Sequence, residues 1–184
     1  MSANLNKLKE RLAREIDLLK NEMVDMARRI YEKPEIGYQE YEASRILMDF
    51  LKRHGFHVSK NIAGMDTAFL ASCHGDSNGP TVAILAEYDA LPGLGHGCGH
   101  HLIGAASAGA AAGLSKILSG MKGRVVVVGC PAEEAGVDGS GGKVRLVEKG
   151  YFDGIDAAFI FHPTPRTTVG GETSALVGVE FEFI

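Results

Sequence analysis

The sequence predicts an α/β fold: a central, mostly parallel sheet with helices on both faces. Three observations carry this reading. Three short, continuous apolar runs recur along the chain, Thr81–Ala86, Arg124–Gly129 and Asp156–Phe161, as expected of strands covered on both sides. Segments of helical character, Gly99–Ser119 and Lys143–Lys149, separate them. Strand–helix–strand–helix–strand order then demands crossover connections and a parallel sheet.

The elements follow in order. Leu5, Leu8, Leu12, Ile16, Leu19, Met23, Met26 and Ile30 recur at spacings of three and four, which predicts one long amphipathic helix packed on the sheet. Pro34 stops it near Lys33. A second helix is expected over Gln39–His54, with Tyr41, Ile46, Leu47, Phe50 and Leu51 on its apolar face and Gly55 as its stop. Phe56–Lys60 and Thr67–Cys73 read as strands, and His74–Pro80 reads as a turn by composition. Beyond Asp156–Phe161, the alternation of Leu176, Val177, Val179, Phe181 and Phe183 predicts a half-exposed strand over Ser174–Ile184. There is no internal repeat or low-complexity segment.

Composition narrows the function. The 184 residues carry a formal net charge of −4, and no Lys/Arg cluster interleaves with aromatics, so nucleic acid is not expected as a partner. Leu102–Leu114 is too short to span a bilayer, and the charged N-terminus has no signal-peptide core. No membrane association and a cytoplasmic location are therefore expected. Three cysteines, Cys73, Cys98 and Cys130, argue against a disulfide framework. Glycine supplies 24 of the 184 residues, well above the average of about 7%. Many of these lie at 93–99 and 136–142, where backbone must turn tightly or approach something closely.

Each apolar run is followed at once by residues that bind metals or move protons. Glu87 and Asp89, then His96, Cys98, His100 and His101, follow the first; Glu133 and Glu134 follow the second; His162 follows the third. Adjacent parallel strands end on one edge of the sheet, and ligand sites collect there, so the three clusters should converge. Thiol, imidazole and carboxylate together are a transition-metal donor set. Cys98 and His100, two apart on a glycine-rich loop, can face one ion. Of the adjacent Glu133 and Glu134, one can bind metal while the other takes a proton from water. Competing readings are plainer. Cys73 and Cys130 sit among apolar neighbours as small buried hydrophobes, and His54, His57 and His74 read as surface or helix-end residues. Neither glycine loop fits a phosphate-binding motif: Val137 replaces the first required glycine of one, and Val144 replaces the Ser/Thr after Lys143.

The run Leu85-Ala-Glu-Tyr-Asp-Ala-Leu-Pro92, then Gly95-His-Gly-Cys-Gly-His100, Pro131-Ala-Glu-Glu134 and Phe161-His-Pro163 resembles the amidohydrolase branch of the aminoacylase/carboxypeptidase zinc metallopeptidases, most closely its aminobenzoyl-glutamate hydrolase and dipeptidase subgroup. The resemblance covers nearly the whole chain from Pro34-Glu-Ile-Gly37 onward. It implies a hydrolase with two divalent metal ions, zinc or manganese, with nickel or cobalt as other candidates. The substrate implied is a small N-acyl amino acid or dipeptide. By position it implies Cys98, His100, Glu134 and His162 as metal ligands, Glu133 as general base, and Asp89 as the aspartate that orients the site. Glu87 stands where other branches place a metal-binding histidine, and His101 where relatives carry Asp or Asn. The resemblance also implies that residues 1–184 are the N-terminal part of a truncated catalytic domain. A lid and dimerisation domain and the C-terminal part of the catalytic domain would then be missing. The longer form is expected to be a homodimer, and this chain weakly active or inactive. A non-catalytic metal-binding fragment and a cysteine-nucleophile hydrolase using Cys98 are the alternatives.

Overall fold

A computed structural model describes residues 2–134 and 136–170. The predicted strand over Ser174–Ile184 lies outside the described residues. The elements run α1 (Ser2–Leu18), α2 (Lys20–Glu32), α3 (Tyr41–Arg53), β1 (His57–Lys60), β2 (Phe69–His74), β3 (Ser77–Glu87), α4 (His100–Ser115), β4 (Lys122–Cys130), α5 (Gly142–Glu148) and β5 (Ala157–Phe159). A single 3-10 turn, Ile62–Gly64, links β1 to β2.

The five strands form one mixed sheet in the order β1-β2-β4-β3-β5. The three strands that precede the metal-type residues are mutually parallel, β4 and β5 flanking β3. β1 and β2 extend the sheet antiparallel on the β4 side. The register places Glu87 opposite Cys130, so both central strands run out at the same edge.

Two apolar clusters cover the two faces. On β4, Val125 and Val127 point into a cluster with α2, α3 and α4, including Met26, Ile30, Leu47, Phe50 and Leu51. Val126, Val128 and Cys130 point the other way, toward Leu146 of α5 and Ile62 and Met65. This period-two division is why the run between Arg124 and Gly129 is apolar throughout. α4 carries small residues for a related reason. Side chains at Gly109 and Gly113 would meet Met23 of α2 and Ile16 of α1, so the glycines let these helices cross closely.

Three expectations require correction. The N-terminal helix is divided at Leu19, whose N–H bonds back to Ile16 at 2.9 Å, an i→i−3 link that tightens the turn there. Ser77–Pro80 belong to β3, not to a turn; the strand starts early because Ser77 pairs with Lys122 across a register shift before Thr81. β5 is shorter than predicted and is not buried. Among the described residues it pairs with β3 alone, and Phe159 is 62% exposed.

Gly129 supplies a packing test. A Cβ there would press into the ring of Phe69, which is fully buried and stacked on Tyr88 at 5.9 Å between ring centroids. Gly129→Ala is expected to lower the unfolding free energy by about 1–3 kcal/mol through overpacking. Urea denaturation followed by circular dichroism measures it; an unchanged midpoint would show that the ring yields freely.

Candidate metal centre

β3 delivers Glu87, Tyr88 and Asp89 to the carboxyl edge of the sheet, and the strand is held there on both sides of the turn. The Tyr88 hydroxyl donates to the Thr67 carbonyl at 2.7 Å, and the Ala90 N–H donates to the Glu35 carbonyl at 2.8 Å. The glycine loop then folds back through a bridge between Leu91 and Gly95. Gly99 ends it in a left-handed conformation, φ 80°, and His100 opens α4. A Cβ at Gly99 would also lie 2.7 Å from the Pro163 ring, so a glycine there lets the 162–163 segment close onto the loop.

Asp89 organises the centre. One carboxylate oxygen accepts from His100 Nδ1 at 2.8 Å, and the other accepts from the Glu134 N–H at 2.9 Å. Asp89 and His100 are both buried. Because the carboxylate takes the Nδ1 proton, the Nε2 lone pair of a neutral His100 faces the pocket. His100 Nε2 is buried and has no hydrogen-bond partner. Three carboxylates surround it, Glu87 Oε2 at 3.5 Å and Glu133 Oε2 and Glu134 Oε1 each at 3.6 Å.

That spacing is informative. These separations exceed normal hydrogen bonds, yet they match the edge of a tetrahedron of donors about 2.0–2.2 Å from a zinc ion, which is roughly 3.4 Å. Glu87, His100 and Glu133 each offer a donor atom, all within 4.8 Å of one another. A buried imidazole nitrogen with no partner, ringed by acids at this spacing, fits a divalent cation.

The electrostatics agree. Burial pulls the His100 pKa down, but the Asp89 hydrogen bond and the charges of Asp89, Glu87 and Glu134 outweigh it, and the net shift is upward. The Glu133 pKa is raised, first by burial and then by the Glu87 charge. The Cys98 thiol is pushed up to about 11, chiefly by hydrogen bonding to Glu134 and then by burial.

The structure thus brings Asp89, His100, Glu133 and Glu134 together and sets Cys98 beside Glu134. His162 is exposed, with its ring edge-on to His100 at 6.1 Å between centroids and its Nδ1 3.1 Å from the Pro163 carbonyl. His96 and His101 do not join the cluster. They pack against each other at 5.2 Å and against Tyr31, and His96 Nε2 bonds the Ile30 carbonyl at 3.1 Å.

Three residues that sequence reasoning left without a role also shape the centre. Glu87 faces His100 directly. Lys143, at the start of α5, pairs with the second oxygen of Glu87. Glu40 is a buried carboxylate that accepts from the Ala132 N–H at 2.8 Å and the Thr67 hydroxyl at 2.7 Å. It thereby holds Ala132 in the left-handed conformation (φ 52°) from which the Glu133-Glu134 pair departs. Lys143 carried a sequence signal in the Gly-Gly-Lys that follows the two glutamates, whereas Glu40, far away in sequence, carried none.

Comparison with known proteins places the arrangement. Residues 83–183 match peptidase family M20/M25/M40. The chain is 37% identical over 158 residues to a p-aminobenzoyl-glutamate hydrolase of Escherichia coli, a match that covers 76% of this chain and 32% of that protein. It is 36% identical over 178 residues to human Xaa-Arg dipeptidase, covering 88% of this chain and 40% of that one. The chain therefore spans about a third to two fifths of the length of these relatives. Among solved structures, a dinuclear metal-binding peptidase of the M20 family from Bacillus subtilis superposes with a TM-score of 0.72 at 27% identity, over 81% of this chain and 44% of that one. With a family match that takes in all three strand ends of the centre, the chain belongs to peptidase family M20/M25/M40.

Proposed function

We propose that the protein is a metal-dependent hydrolase that cleaves the amide bond of N-acyl amino acids or dipeptides with activated water. The observation that carries this reading is the buried, unpartnered Nε2 of His100 facing three carboxylates at ligand spacing. The relatives named for aminobenzoyl-glutamate hydrolysis and dipeptidase activity supply the substrate class. The dinuclear Bacillus peptidase supports two divalent ions, and zinc or manganese suits the mixed sulfur, nitrogen and oxygen donors.

Cys98, His100, Glu134 and His162 are the residues to hold the ions. When bound, these polarise the scissile carbonyl and lower the pKa of water. Asp89 keeps His100 in the tautomer that presents Nε2 and holds Glu134 through its backbone N–H. Glu133 is the most exposed of the acids around His100, at 40% for its side chain. That placement suits a general base that meets water and substrate. Its raised pKa brings it nearer neutrality, which favours taking a proton from the attacking water and returning it to the leaving amine.

A cysteine-nucleophile reading fits less well. A thiol pushed up to about 11 is almost wholly protonated at neutral pH, and the thiolate is the nucleophile. Chelation separates the two. A panel of N-acyl amino acids and dipeptides, assayed with zinc or manganese, is expected to be hydrolysed. Dialysis against a strong chelator is expected to abolish turnover, and returning the metal to restore it. Turnover that survives chelation but is lost to a thiol alkylator would overturn the metal assignment.

A further inference from the structure

We propose that Lys143 is a positioning residue of the cation pocket: it grips one oxygen of Glu87 and so keeps the other turned toward His100 and Glu133 as an additional donor. The inference rests on the metal-dependent reading above and extends it to two residues outside that ligand set.

Glu87 is the last residue of β3, and its side chain is buried. Its Oε1 accepts from Lys143 Nζ, while its Oε2 lies 3.5 Å from His100 Nε2. Among the described residues, Lys143 is the one hydrogen-bond donor to this carboxylate. A buried carboxylate with a single anchor takes its orientation from that anchor. Donors to a metal ligand commonly act in this way, and their loss typically weakens metal binding about 10–100-fold.

The reach of Lys143 is fixed by backbone. The N–H groups of Gly141 and Gly142 both donate to the Ala132 carbonyl, at 2.7 and 3.4 Å. A Cβ at Gly142 would collide with the Pro131 carbonyl oxygen, so α5 can start this close to the end of β4 because the residue is glycine. The first turn of α5 is thereby clamped to the loop carrying Glu133 and Glu134, and the next side chain spans to Glu87. The glycines and lysine of this segment, which fit no phosphate motif, have a structural purpose here.

A lysine also brings positive charge, which opposes cation binding, so the two effects have opposite signs. The Lys143 side chain is one-third exposed, and solvent screens its charge, whereas Glu87 is almost wholly shielded and depends on the contact for its direction. Positioning should therefore outweigh repulsion.

Calorimetric titration of the chain with zinc alone and with manganese alone tests this, with circular dichroism to check the fold. The parent chain is expected to bind, Lys143→Met to bind about 10–100-fold more weakly, and Lys143→Arg to recover part of the loss. Equal or tighter binding by Lys143→Met would overturn the proposal, since it would make Lys143 a counter-charge only. Glu87→Gln and the double variant Glu87→Gln/Lys143→Met guard against misfolding, because neither strands a buried charge beside an absent lysine. The two are expected to bind alike, and a further loss of fivefold or more in the double variant would show that Lys143 acts independently of Glu87. A parent chain that binds neither ion would remove the metal-dependent reading itself; a parent that binds, with Lys143→Met unchanged, removes this proposal alone.

Discussion

Replacing Glu133 with glutamine is expected to reduce kcat for amide hydrolysis by about 10²–10⁴-fold while leaving the dissociation constant for zinc within a few fold of the parent. The asymmetry follows from the geometry. Glutamine has nearly the same shape and retains an oxygen that can face His100, but its amide takes no proton from water. Glu133 and Glu134 stand equally far from His100 Nε2, so distance does not divide their roles. Their anchoring does: the Glu134 N–H is tied to Asp89, and its side chain is far less exposed than that of Glu133. Glu134→Gln is therefore expected to show the opposite signature, with weakened metal binding and activity partly recovered at high metal concentration. Metal content with steady-state kinetics, measured on both variants, decides the matter. A Glu133→Gln protein that turns over within tenfold of the parent would transfer the proton to another group.

Asp89→Ala is expected to be the most damaging single change at the centre for folding and metal binding together. It strands two donors in a buried site, the Nδ1–H of His100 and the N–H of Glu134. Each stranded donor is worth roughly 1–3 kcal/mol of stability. It also frees His100 to carry its proton on Nε2, which removes the lone pair from the pocket and should weaken metal binding about 10–100-fold. Asp89→Asn separates the two effects. Its carbonyl oxygen still accepts one of the two N–H groups, so most of the stability should return, but its NH2 confronts the other donor. Thermal denaturation without metal and zinc titration calorimetry on the two variants read these separately. Full metal affinity in Asp89→Asn would show that the tautomer of His100 is set by something other than Asp89.

Most of the architecture was legible because it depends on local periodicity. Apolar residues at spacings of three and four mark α1, α2 and α3, and uninterrupted apolar runs mark the central parallel strands β3 and β4. The errors fall where a neighbour overrides the local pattern. Pairing with Lys122 draws Ser77 into β3 although the surrounding composition favours a turn. Asp156–Phe161 has the apolar character of a covered strand, but cover depends on what packs beside it, and among the described residues β5 has a partner on one side alone.

The site divides in the same way. The types and order of Asp89, Cys98, His100, Glu133, Glu134 and His162 were readable from the sequence, because thiol, imidazole and acid at successive strand ends converge in any parallel sheet. Sequence spacing grouped His96 and His101 with them. Only the rotation of the first turn of α4, and the packing of both rings against Tyr31, separated them from His100. Likewise, only tertiary structure joined Glu87 to Lys143 across 56 positions and Ala132 to Glu40 across 92. The sequence alone determined which chemistry the protein carries, since donor identity is covalent and strand order follows from periodicity. The direction of each donor, and the partner that holds it there, was decided by the fold, because hydrogen bonds between distant segments leave no periodic trace along the chain.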